Sequence, residues 1–104
     1  MNYFDIAVDA LATDARIGHL FWQASPGDRS ILYNLLDREG GIGMTLPGSA
    51  NDQLWSCLAE HGWMEAMETL KDMPMPMSQF VLTETGRRVL PVVWDQLMRA
   101  AEKA

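Results

Sequence analysis

The sequence predicts an α+β fold that is mainly helical: helix, helix, short turn, helix, strand, loop, strand, helix. Three observations lead there. Apolar residues recur at helical spacing over 26–39 and again over 89–101. Residues 78–83, SQFVLT, read as a strand, with Phe80 and Leu82 on one face and β-branched Val81 between them. A lone strand leaves its ladder groups unsatisfied, so a second strand is required. A chain of 104 residues, 48% of them hydrophobic, suffices for one modest core and hence a single domain.

From Asp5 to Ala15, the residues Ala7, Val8, Leu11, Ala12 and Ala15 mark one apolar helix face, with Asn2 or Asp5 as cap. The pattern blurs at Ile17-Gly18 and resumes as Leu20-Phe21-Trp22, so the helix either continues or breaks near Gly18. That aromatic group is expected to pack on another helix or a second subunit. SPGD at 25–28 starts the next helix: Ser25 caps, Pro26 suits the first position and Asp28 follows three residues after the serine. Ile31, Leu32, Leu35 and Leu36 face inward, and Gly40-Gly41 end it.

GGIGMTLPGSAND comes next. Its glycines and proline argue against a long helix and leave room for a short turn around Met44 to Leu46. Ser49 or Asn51 then caps a helix with Leu54, Trp55 and Leu58 inward, closing at His61-Gly62. WMEAMETLK has helical propensity. Nevertheless 63–70 is the nearest partner for the strand at 78–83, and pairing is expected to override propensity. The last helix begins near Thr83 or Thr85 and buries Val89, Leu90, Val93, Trp94, Leu97, Met98 and Ala101. Pro91 within it implies either a kink or a start near Arg88.

Composition excludes several function classes. Nothing approaches the roughly 20 apolar residues of a membrane span, and the acid-bearing N-terminal stretch does not read as a targeting segment. A cytoplasmic protein is expected. Eight basic against fourteen acidic residues set a net charge of −6, which opposes generic phosphate binding. The single Cys57 excludes an internal disulfide and a cysteine-based zinc site, and it reads as a small buried residue among Leu54, Trp55 and Leu58. His19 and His61 share no helix face with a carboxylate or second histidine at ligand spacing. GGIG at 40–43 lacks the strand, glycine spacing and Lys-Ser/Thr pair of a nucleotide loop. No nucleophile elbow or paired acids stand out, so neither an enzyme nor a cofactor protein is expected.

Two stretches carry a family resemblance. LWSCLAEHGWM (54–64) resembles a recognition helix running through a leucine-x-x-x-glycine-aromatic step onto a first wing strand. FVLTETGRRVL (80–90) resembles a second wing strand followed by the leucine-threonine-x-x-glycine turn into a helix. With the helix at 26–39, this is similar to winged helix-turn-helix regulators of the MarR and PadR kind, over about residues 26 to 90. The resemblance implies a winged helix, that is a three-helix core plus a two-stranded β-hairpin wing, together with a role in transcription and a homodimer formed through flanking helices at 1–24 and 84–104. It places the recognition helix at about Ala50 to His61, with Asn51, Asp52, Gln53 and Ser56 as candidate reading residues. It places the wing tip at Asp72 to Met77, with Lys71, Met73, Met75 and Met77 as candidate contacts.

The chain departs from that pattern in two places. The helix before the recognition helix shrinks to GMTLPG, at most one turn. Between Ser49 and Met77 there are five acids against Lys71 alone, a local charge of −4 where DNA readers carry Lys and Arg. Arg87-Arg88 form the only paired basic site. The run Met73-Pro74-Met75-Pro76-Met77 offers thioethers to Cu(I) but has no flanking His or Cys, so it reads as a hairpin tip whose prolines resist edge pairing. Two functions follow as expectations: a DNA-binding transcriptional regulator, or a protein-interaction module or inhibitor that meets a partner with a basic surface.

Overall fold

The computed structural model describes residues 2–36, 41–67, 72 and 74–103. Over these the chain is α+β and mostly helical, with five helices and one three-stranded antiparallel sheet. Asn2 caps α1 (Tyr3–Thr13) by accepting from the Asp5 amide. The expected helix through Ala15 stops at Asp14, not near Gly18. Asp14 adopts extended backbone, and its carboxylate caps α2 (Ala15–Gln23) by accepting from the Arg16 amide. Gly18 lies inside α2, close to Leu97. A cap formed by an acid between Thr13 and Ala15 therefore sets the break, rather than the glycine.

Ser25 caps α3 (Pro26–Leu36) as expected, accepting from the Asp28 amide. Leu32 and Leu35 are buried, whereas Ile31 is exposed. The expected stop at Gly40 falls outside the described residues.

The short turn expected around Met44 is a strand instead. Residues Ile42–Thr45 form β1 and pair antiparallel with β3 (Ser78–Leu82), Gly43 opposite Phe80 and Thr45 opposite Ser78. Gly43 permits this: a Cβ there would collide with the Trp55 ring and with Leu35. The Leu46-Pro47-Gly48-Ser49 turn follows, closed by the Ser49 amide donating to the Leu46 carbonyl, with Gly48 at φ 81°. Ser49 then caps α4 (Ala50–Glu60).

The partner strand expected over 63–70 is present as β2 (Met64–Ala66), paired antiparallel with β3, and the Met67 amide adds a bond to Gln79. Residues 68–70 lie outside the described set. Sheet order is β1-β3-β2, so the expected two-stranded hairpin has gained a third strand. Thr83 caps α5 (Glu84–Glu102), which runs through Pro91. Pro91 is exposed and lacks an N–H, so it costs one intrahelical bond without disturbing the core.

The core fills the space between α2, α4, α5 and the sheet. Ile17, Leu54, Trp55, Leu58, Trp63 and Val89 are almost fully buried. α1 packs along α5, and α2 packs on α4. Of the aromatic group on α2, Phe21 meets Trp94 edge-on at 4.9 Å, where Tyr33 of α3 also tilts against Trp94 at 5.3 Å, and Trp22 stays exposed.

Candidate functional site

The junction between α4, β2 and α5 joins the two stretches that carried the resemblance. α4 ends in a glycine-terminated cap: the Trp63 amide donates to the Leu58 carbonyl and the Gly62 amide to Ala59, with Gly62 at φ 81°. Thr83 then ties this cap to the start of α5. Its amide donates to the Trp63 carbonyl, its hydroxyl donates to the Gly62 carbonyl at 2.7 Å, and the same oxygen accepts from the Gly86 amide. Gly86 sits directly against the Trp63 carbonyl, leaving no space for a side chain. The glycine-aromatic step and the threonine-x-x-glycine turn are thus two halves of one hydrogen-bonded joint.

The candidate reading residues on α4 do not form a uniform exposed face. Asn51 is 4% exposed, and its Oδ1 is buried without a hydrogen-bond partner. Asp52 accepts from the Thr45 hydroxyl at 2.7 Å and from the Gly48 amide at 3.0 Å, bracing the turn before its own helix. The Gln53 amide group donates to the Gly48 carbonyl. Ser56 is exposed. Asn51 is therefore buried, Asp52 and Gln53 bond to the preceding turn, and Gln53 and Ser56 stay exposed.

Of the candidate tip residues, Lys71 and Met73 lie outside the described residues. Met75 is exposed. Met77 lies beside the sheet, in a groove with Ile31, Leu35, Ile42 and Met44. Ile31, Ile42, Met44 and Leu46 are all exposed, so the outer side of β1 and the adjoining flank of α3 present an apolar surface. Arg88 pairs with Glu84 at 3.2 Å, and Arg87 lies 3.7 Å from the same carboxylate. The paired basic site is already balanced in part by its own helix.

A second cluster brings together Cys57 and His61, which the sequence reading discounted as metal ligands, with a carboxylate distant along the chain. Asp14, at the α1–α2 junction, meets Cys57 and His61, which are one turn apart at the end of α4. Asp14 Oδ1 accepts from the Arg16 amide at 3.1 Å and from Arg16 Nε at 2.9 Å. Asp14 Oδ2 accepts from Arg16 Nη2 at 2.8 Å, contacts His61 Nε2 at 2.9 Å and accepts from Cys57 Sγ at 3.5 Å. Arg16 also reaches Glu60 at 2.8 Å, and the His61 ring stacks on Trp63 at 4.8 Å.

The Arg16 guanidinium, followed by the His61 hydrogen bond, holds the Asp14 carboxyl well below the usual carboxylate range. Burial, followed by the Asp14 charge, pushes the Cys57 thiol up to about 11. Cys57 is buried as expected and is a protonated, weakly nucleophilic thiol at neutral pH. The i, i+4 spacing of Cys57 and His61 was visible in the sequence. The carboxylate comes from 47 positions before His61, which helix-face spacing cannot register. No family model matches this chain, and no curated protein or solved structure is similar to it.

Proposed function

We propose that this chain is a protein-interaction module on a winged-helix-like scaffold, with its target a protein surface of apolar centre and basic rim. The observation that carries this reading is the apolar surface of Ile31, Ile42, Met44 and Leu46 beside Met77, on a chain of net charge −6. A winged-helix scaffold is supported by α4 entering the β2–β3 pair, by the Thr83–Gly62 joint into α5 and by the third strand on β3. A single helix lies between β1 and β2, where a helix-turn-helix would have two.

The DNA-reading alternative is opposed by charge and geometry together. Exposed α4 positions carry Gln53, Ser56 and Glu60, and among the described residues from Ser49 to Met77 there is no Lys or Arg. Phosphate contacts supply most nonspecific affinity, and the described residues of this face offer none of the usual cations.

Affinity capture from the encoding organism's extract, after nuclease digestion, tests the reading. The wild-type chain is expected to retain one protein stoichiometrically. Met44→Glu is expected to lose it while keeping its circular dichroism spectrum. Retention of nucleic acid alone in undigested extract, with salt-dependent binding to purified duplex DNA, overturns it.

A further inference from the structure

We infer that Asp14, Cys57 and His61 form a binding site for a thiophilic divalent ion of the Zn²⁺ class, clamping the α1–α2 junction onto the end of α4. One sulfur, one imidazole nitrogen and one carboxylate oxygen from these residues lie within 4.8 Å of one another. Zinc bonds of about 2.0–2.3 Å to such donors imply donor–donor separations of roughly 3.3–3.8 Å, so closure requires movements of about 1 Å or less. The Cys57–Asp14 edge, at 3.5 Å, already has that length. A sulfur and nitrogen donor pair selects Zn²⁺, or Co²⁺ as its probe, over Mg²⁺ or Ca²⁺.

The surroundings suit a ligand set. Asp14 Oδ1 is held by the Arg16 amide and Nε, which leaves Oδ2 turned toward the sulfur and the imidazole. This is the outer-sphere support that orients a monodentate carboxylate. Two contacts to Oδ2 must lengthen, from Arg16 Nη2 at 2.8 Å and from His61 Nε2 at 2.9 Å, the second becoming an edge of the ligand set. Arg16 is largely exposed and keeps Glu60 as a partner through Nη1. Stacking on Trp63 fixes the plane of the His61 ring. Three protein donors leave a fourth position for water.

Binding exchanges protons for metal. Cys57 releases its thiol proton to solvent, and a neutral His61 binds through Nε2 with its remaining proton on Nδ1. Affinity therefore rises with pH, because the ligand is the thiolate.

Cobalt titration of the chelator-treated full-length chain decides the question. Cys57 is the only cysteine, so a thiolate-to-cobalt charge-transfer band can arise from no other residue. The expected result is that band together with the intense visible bands of a four-coordinate ion, saturating at one ion per chain and bleached by Zn²⁺. Zn²⁺ at roughly a hundredfold excess over its Kd is expected to raise Tm by about 5 °C or more. Cys57→Ala should abolish the charge-transfer band. His61→Gln, at a partly exposed position that does not threaten folding, should weaken binding at least about tenfold. Absence of the band in the folded wild-type chain, or unchanged affinity in folded His61→Gln, overturns the inference.

Discussion

Thr83 and Gly86 show how a short motif becomes a joint. The threonine hydroxyl donates to one backbone carbonyl and accepts from one backbone amide, while Gly86 clears the space that the Trp63 carbonyl occupies. Gly86→Ala would drive a Cβ into backbone that has no rotamer with which to yield. It is expected to cost about 3 kcal/mol in urea unfolding, the upper part of the overpacking range. Thr85→Ala, at an exposed site in the same turn, should stay within about 0.5 kcal/mol. Thr83→Ala removes a cap and a tertiary tie and should cost about 1–2 kcal/mol. The two motifs were read through their resemblance; Gly62 with its positive φ and Thr83 with its capping hydroxyl answer local requirements, whereas the lack of a side chain at Gly86 answers Trp63, distant along the chain.

The helices and strands divide between locally and remotely determined features. α3 and α4 were legible because Ser25 and Ser49 cap them and their leucines repeat at helical spacing. The strand at 64–66 followed from the need of β3 for a partner, against the helical propensity of Met64, Glu65 and Ala66. β1 was missed because Gly43 looks like a breaker until Trp55 and Leu35 are seen filling the space its side chain would take. The break at Asp14 was displaced to Gly18 for a similar reason, since glycine is a common breaker and a capping aspartate is visible only through its partners.

That junction between helices carries a pH dependence. The carboxyl of Asp14 is depressed in the folded chain relative to about 3.9 unfolded. Its contribution is therefore complete above pH about 4 and is lost as the pH falls from there toward the folded value. Asp14→Asn retains the cap but loses the charge. The stability difference between wild type and this variant, followed by urea unfolding, should be largest near neutrality and shrink below pH about 4. A difference independent of pH would show that the carboxylate charge contributes nothing at the junction.

Charge acts over the whole molecule. At a net −6, the chain repels phosphate backbones, and its described α4–hairpin face adds acids without a compensating base. Glu65→Gln combined with Glu68→Gln reduces the net charge to −4 and should strengthen any weak duplex DNA binding seen by fluorescence anisotropy at low salt. On the interaction-module reading, that gain vanishes by about 0.15 M salt, where the Debye length is about 8 Å. Binding that persists at that salt and depends on sequence would favour the regulator instead.

Sequence alone determined the helices that start at Ser25 and Ser49, the hairpin strands, the burial of Cys57 and the net charge of −6. All of these depend on neighbours within a few residues or on summed charge. Tertiary structure decided the third strand, the burial of Asn51, and the meeting of Asp14 with Cys57 and His61. Each rests on contacts between segments distant along the chain or on the packing of whole elements. Spacing patterns register which face a residue shares with its own helix, and they carry no information about what the fold brings to that face.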